Sequence, residues 1–322
     1  GGQAWSWGCS SYGQLGNLST SSFSSPVLVS GTHSFALIDT GLANSVGIKQ
    51  NGTTWCWGEG TYGNCGDGTN ASKSSPVLVV GSHVFTEAFV GARNVIALKA
   101  DGMAWMWGNG TLGGIGNQTV GSYSSPVAVV GAHSFVKVRS GGTTASCISA
   151  GIKANGEVWT WGGNAYGQLG NGSATNSSSP VLVVGSHNFI DLEISTYSMH
   201  GLKSDGTIWS WGANSYGELG NQTRTSYSSP VAVVGAHSFV SLTTTAVNTQ
   251  LVTCAGLKAD GTVWTWGHGT AIGNNSTTSY SSPVLVTGAH NFIQVRGGSG
   301  PFMTALKPNG EVWTWGGNTF GQ

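Results

Sequence analysis

The sequence predicts an all-β chain made of one four-stranded unit repeated in series, on three observations. The motif Trp-x-Trp-Gly recurs seven times in 322 residues, opening at Trp5, Trp55, Trp105, Trp159, Trp209, Trp264 and Trp313, in steps of 49 to 55 residues. A Ser-Pro-Val mark sets Pro26, Pro76, Pro126, Pro180, Pro230 and Pro283, each followed nine residues later by a phenylalanine: Phe35, Phe85, Phe135, Phe189, Phe239 and Phe292. Lys49, Lys99, Lys153, Lys203, Lys258 and Lys307 each stand six residues before the first Trp of a motif. A fixed period of this length marks stacked units that cannot bury their apolar faces alone.

The repeat from Pro180 shows how each strand is specified. Val181-Leu182-Val183-Val184 is apolar and β-branched, and Gly185 ends it. Phe189 to Ile194 alternates apolar with polar, the two-residue period of a half-buried strand. Gly201-Leu202-Lys203 runs into Asp205-Gly206, a dipeptide suited to a type I′ hairpin. Thr207 to Trp211 returns as the next strand with both indoles on one face. Asn51-Gly52, Asp101-Gly102, Asn155-Gly156, Asp260-Gly261 and Asn309-Gly310 repeat that hairpin, and glycine and β-branched residues interrupt every candidate helix. Four-stranded units of this size are blades of a β-propeller. The whole chain, 1–322, reads as one repeat domain, with a partial repeat at 1–25 and repeats at 26–75, 76–125, 126–179, 180–229, 230–282 and 283–322. Six blades can be counted, and seven if the chain is a piece of a longer array. A clasp in which the head and the tail complete one blade would close the six-bladed ring with one Trp-x-Trp strand to spare, which could otherwise pair with another copy.

The phrase Trp161-Gly162-Gly163-Asn164-Ala165-Tyr166-Gly167-Gln168-Leu169-Gly170-Asn171, followed by Ser179-Pro180-Val181, resembles the signature of regulator-of-chromosome-condensation repeats, as do residues 211–221 and 7–17. The resemblance spans essentially the whole chain and implies a propeller, usually of seven blades. Similarity to the founding member would also imply nucleotide exchange on the GTPase Ran and chromatin binding. Those activities need charged patches and loops for which this chain offers no residue-by-residue match.

Twelve Lys and Arg balance twelve Asp and Glu, and charged residues make up 7% of the chain. Phosphate binding needs a basic stripe, so nucleic acid is not an expected partner. No apolar run reaches the length of a membrane-spanning helix. The chain opens Gly1-Gly2-Gln3, without an initiator Met or signal peptide, and is read as a mature or partial segment.

No catalytic, cofactor or metal site is expected. His33, His83, His133, His187, His237 and His290 sit two places before each Phe without accompanying ligands, which favours a structural role in which the ring bonds a turn carbonyl. His200 and His268 lie outside that pattern, with no acid or nucleophile signalled beside them. Length variation points to a contact surface instead. The Phe-to-Lys stretch is 14 or 15 residues in four repeats but 18 and 19 in two, which gives candidate contact loops at Ser140, Thr143, Thr144 and Ser146 and at Thr243, Thr245, Asn248 and Gln250. Among the Asn-x-Ser/Thr sequences, Asn17, Asn70, Asn117, Asn171, Asn221 and Asn274 are candidate glycosylation sites, weighed against the plain preference of turns for Asn. Cys9, Cys56 and Cys65, close together in the first two repeats, are candidates for a disulfide.

The favoured reading is a non-catalytic, extracellular structural or adhesive module on a cell surface, filament or virion. Its expected partners are other copies of itself or a surface protein or glycan, without membrane insertion. A soluble protein-binding propeller, an inhibitor or regulator of a partner, is the alternative. A glycan-cleaving enzyme ranks last, because two facing carboxylates are needed and few acids are present.

Overall fold

A computed structural model describes residues 2–143, 145–245, 251–288, 290–298 and 300–317. Strands account for nearly all regular structure, with short 3-10 turns at Thr111–Gly113 and Gly269–Ala271. A two-stranded sheet at the head holds β1 (Trp5–Gly8) and β2 (Phe23–Leu28). Five four-stranded antiparallel sheets follow. The first holds β3 (Phe35–Thr40), β4 (Asn44–Lys49), β5 (Thr54–Gly58) and β6 (Lys73–Leu78). The second holds β7 (Glu87–Val90), β8 (Asn94–Leu98), β9 (Ala104–Gly108) and β10 (Tyr123–Ala128). The third holds β11 (Phe135–Gly142), β12 (Cys147–Lys153), β13 (Val158–Gly162) and β14 (Ser177–Leu182). Next come β15 (Phe189–Ile194), β16 (Ser198–Lys203), β17 (Ile208–Gly212) and β18 (Tyr227–Ala232), then β19 (Phe239–Thr244), β20 (Thr253–Lys258), β21 (Val263–Gly267) and β22 (Tyr280–Leu285). The tail forms a three-stranded sheet of β23 (Gln294–Gly297), β24 (Phe302–Leu306) and β25 (Val312–Gly316).

The described residues thus form seven sheets, each a meander in which sequence neighbours pair. The head and the tail each make a sheet of their own. Two compact units can be drawn, residues 1–154 with 160–163 and 176–180, and residues 155–159, 164–175 and 181–322.

Within each unit one aromatic pile recurs. In the first complete sheet Lys49 Nζ lies 4.9 Å from the Trp55 ring, the His33 ring lies 4.3 Å beyond, and Phe35 and Trp57 follow at 5.3 and 5.6 Å. Lys203, Trp209, His187, Phe189 and Trp211 repeat it in the second unit. The histidines are therefore structural through ring stacking, and His33 and His237 have no hydrogen-bond partner on Nδ1. At these two Nδ1 atoms the expected bond to a turn carbonyl is not made. Burial first, and the nearby lysine second, lower the pKa of both rings.

From Trp57 onward, the second Trp of each motif ties its sheet to the preceding connection. Trp57 Nε1 donates to Gln14 O at 2.9 Å and Trp107 Nε1 to Asn64 O at 3.0 Å. Trp266 Nε1 donates to Glu218 O at 2.9 Å. Burying an indole N–H favours an acceptor for it, and at the second Trp the connection's carbonyl supplies one.

Candidate recognition surface

The connection from the third strand to the fourth carries the exposed aromatic chemistry. In residues 58–66, Gly63 and Gly66 take left-handed φ of +80° and +64°, and Tyr62 sits on the turn they make. Tyr12, Tyr166 and Tyr216 hold the same place in other repeats, with Tyr12 and Tyr166 41% and 39% exposed. In these three repeats a side chain two residues on holds the turn: Gln14 Oε1 accepts the Tyr12 amide at 3.0 Å, Gln168 Oε1 that of Tyr166 at 2.7 Å, and Glu218 Oε2 that of Tyr216 at 2.8 Å.

Three of these tyrosines, Tyr62, Tyr166 and Tyr216, are further braced by a neighbour. The Arg93 guanidinium lies 5.2 Å from the Tyr62 ring, its Nη1 donates to the Tyr62 hydroxyl at 3.4 Å, and its Nε pairs with the buried Glu59 carboxylate at 3.2 Å. In the second unit the Tyr197 ring packs 5.0 Å from Tyr166, and His268 meets Tyr216 edge-on at 4.8 Å. Tyrosine and arginine held in place at a surface give contact area with little side-chain entropy left to lose. Sequence reasoning passed over Tyr62, Arg93, Glu59 and Tyr197. The available signal was an aromatic residue at one fixed place in four connections.

The expected contact loops are built differently. The longer stretch in the third sheet extends its ladder, so that Ser140 pairs with Ser149 and Gly142 with Cys147. Thr143 is buried, and its backbone closes the turn by exchanging bonds with Ser146, which is half-buried. Ser140 Oγ donates to Asn94 Oδ1 at 2.9 Å. In the other stretch Thr243 and Thr245 are buried, and Thr243 Oγ1 accepts the Gly297 amide at 3.0 Å. These threonines are committed inward and leave no contact face at their positions. Thr144, Asn248 and Gln250 lie outside the described residues. The two stretches belong to different units.

The sequon asparagines have a local task. Asn17, Asn117, Asn171, Asn221 and Asn274 each accept a backbone N–H two residues on through Oδ1, at 3.2 to 3.3 Å. The second repeat has Asp67 at this place, making the same bond to Thr69 and pairing with Lys73 at 2.7 Å. The turn bond therefore recurs even where no sequon exists. Asn70 is exposed beyond that turn.

All five cysteines carry free thiols. Cys9 is exposed while Cys56 and Cys65 are buried side by side, so burial separates Cys9 from the other two.

His200 proves to have hydroxyl and thiol neighbours that its sequence surroundings do not signal. Ser198 Oγ lies 3.0 Å from Nε2, Ser210 Oγ 2.9 Å from Nδ1, and Cys254 Sγ 3.5 Å from Nε2. All four side chains are buried. Burial lowers the His200 pKa to about 3 and, with Glu218, pushes the Cys254 thiol up, so a neutral ring faces a protonated thiol away from solvent. The arrangement satisfies buried polar groups and offers no route for a substrate. Among the described residues no group of His, Cys, Asp and Glu could hold a metal, and no helix is long and apolar enough to cross a membrane.

Known proteins place this geometry. Human WBSCR16 shares the fold at a TM-score of 0.83 and 20% identity, over 99% of this chain and 89% of that one. Yeast RCC1 (Prp20), in its complex with Kap60, matches at 0.81 and 18% identity, over 98% and 79%. Prp20p from Saccharomyces cerevisiae, whose structure was described with its binding to Gsp1p and histones, matches at 0.80 and 17%, over 97% and 80%. No curated protein sequence matches the chain. The model of the regulator of chromosome condensation (RCC1) repeat matches residues 1–43, 51–98, 155–196 and 205–248, and the chain belongs to that family of β-propellers.

Proposed function

We propose that this chain is a non-catalytic protein-binding propeller that meets its partner through the tyrosine-bearing connections. The observation that carries the reading is the braced surface tyrosine: half-buried Tyr62 against Arg93 in one unit, exposed Tyr166 against Tyr197 in the other. Prp20p, of the same fold, is known with a protein partner, which fits a scaffold used for recognition. The low charge places specificity in shape and hydroxyl contacts, so binding should depend little on salt.

The test is affinity capture on the immobilised full chain beside Tyr12→Ser and Tyr166→Ser variants. These surface changes should alter stability by no more than roughly 1 kcal/mol. A protein retained by the parent and lost tenfold or more by either variant supports the reading. Equal capture by parent and variants sinks it.

Self-assembly is a second reading, favoured by Leu28, Leu78, Leu182 and Leu285, which stand 42 to 50% exposed at one repeated position. Equivalent apolar points invite equivalent contacts between copies. Light scattering over a concentration series decides: growth into ordered polymers favours this reading, and a constant monomer mass removes it.

A further inference from the structure

We infer that Cys56 and Cys65 form a reversible disulfide that locks the 58–66 connection onto β5. Cys56 is the middle residue of β5, and its Sγ lies 3.4 Å from Asn64 O in the connection. Cys65 Sγ turns back toward Gly58 O and Glu59 O, at 3.9 and 3.8 Å. Both side chains have no exposed surface and share one apolar cluster with Phe85 and Trp107. The Cys65 thiol is a direct neighbour of the Cys56 thiol and, after burial, the main influence raising its pKa.

Comparison across the chain's own repeats singles out the pair. The two positions hold Ser6 and Leu15 in the head, Met106 and Ile115 in the second complete sheet, and Ser210 and Leu219 in the fourth. Cysteine occurs at either position in one repeat alone, and there it occurs at both. The other thiols are placed apart: Cys9 beside Ser11 at the surface, Cys147 against Thr143 O, and Cys254 against His200.

The oxidant is a small disulfide such as oxidised glutathione. One cysteine, as thiolate after losing its proton to solvent, attacks it and releases one reduced glutathione. The second then displaces the other glutathione from the mixed disulfide, leaving the Cys56–Cys65 bond and two reduced thiols. Burial keeps both sulfurs protonated and shielded, so exchange runs while the connection is open, before or between packed states. The locked connection carries Glu59 and Tyr62, so the bond fixes the base on which Tyr62 and Arg93 rest.

The full chain is refolded and held in buffers spanning reduced to oxidised glutathione, then denatured and alkylated for mass analysis. The expected result is five alkylated thiols in reducing buffer, three in oxidising buffer, and a peptide linking residues 56 and 65. The Cys56→Ser/Cys65→Leu variant rebuilds the Ser6 and Leu15 pair and so keeps the fold. Its unfolding midpoint should not respond to dithiothreitol, whereas the oxidised parent's should fall. Alkylation of both Cys56 and Cys65 at every buffer ratio overturns the inference, as does a link that joins either of them to Cys9.

Discussion

Trp211 Nε1 donates to the carbonyl of Gln168 at 2.8 Å, and Gly170 lies flat against the same indole. Gly170 has φ of +64°, and a Cβ placed there would stand 2.7 Å from Trp211 Nε1 and 2.9 Å from Cδ1. The ring cannot retreat without giving up its carbonyl. Gly170→Ala should therefore cost overpacking of about 1–3 kcal/mol in addition to left-handed strain of about 1–2 kcal/mol. Gly172 is the control: φ is +79°, with nothing within 4 Å, so Gly172→Ala carries the strain alone. Urea unfolding of the two variants checks the difference, and equal midpoints would remove the indole from the account.

Glu218 makes stability fall as the pH rises. It occupies the place of Gln14 and Gln168, is 2% exposed, and burial pushes its carboxyl up from 4.5 to about 7 despite three backbone N–H groups that favour the charged form. Below pH 4.5 the folded and unfolded chains both hold the proton, so the contribution is complete. Between 4.5 and 7 only the folded chain holds it, and the advantage drains away to a loss of about 3 kcal/mol at pH 8. Glu218→Gln should flatten this slope and leave a chain more stable than the parent above pH 7. Denaturation midpoints from pH 4 to pH 8 test it, and parallel curves for parent and variant would refute it.

What could be read from the sequence is what the repeat itself requires. Trp57, Phe35 and Lys49 stand at constant spacing because one pile of rings uses all of them, so the blades could be counted before any coordinates. The longer stretch after Phe135 was taken as loop from its length alone. The extra residues after Val138 instead lengthen β11 and β12, where ladder bonds satisfy their backbone. The braces at Tyr62 could not be foreseen, since Arg93 comes from the turn between β7 and β8 and Glu59 from the residue after β5, in different sheets. His200 was equally hidden: Ser198, Ser210 and Cys254 come from three strands in two sheets.

Whether a glycine stands two residues before the recurring lysine goes with where the first strand begins. Gly47, Gly151, Gly201 and Gly256 each lie beneath a Phe ring, where a Cβ would approach to between 2.4 and 2.6 Å. In those sheets the ladder starts at the Phe, with Phe189 opposite Lys203 and an irregularity before Asp191. Ala97 and Ala305 replace the glycine in the other two sheets. There the ladder starts later, at Glu87 opposite Leu98 and at Gln294 opposite Leu306. The rest of the ladder keeps the same register in both kinds of sheet, and the glycine sheets add the Phe–Lys pair ahead of it. Gly201→Ala should convert the sheet of Phe189 to the later start at a cost of about 1–3 kcal/mol. The nuclear Overhauser contact between the backbones of Phe189 and Lys203 should vanish while the contact between Leu192 and Gly201→Ala persists. An unchanged Phe189–Lys203 contact with unchanged stability would show that some other residue sets the start. Complete unfolding would show that the glycine is needed by more than the ring above it.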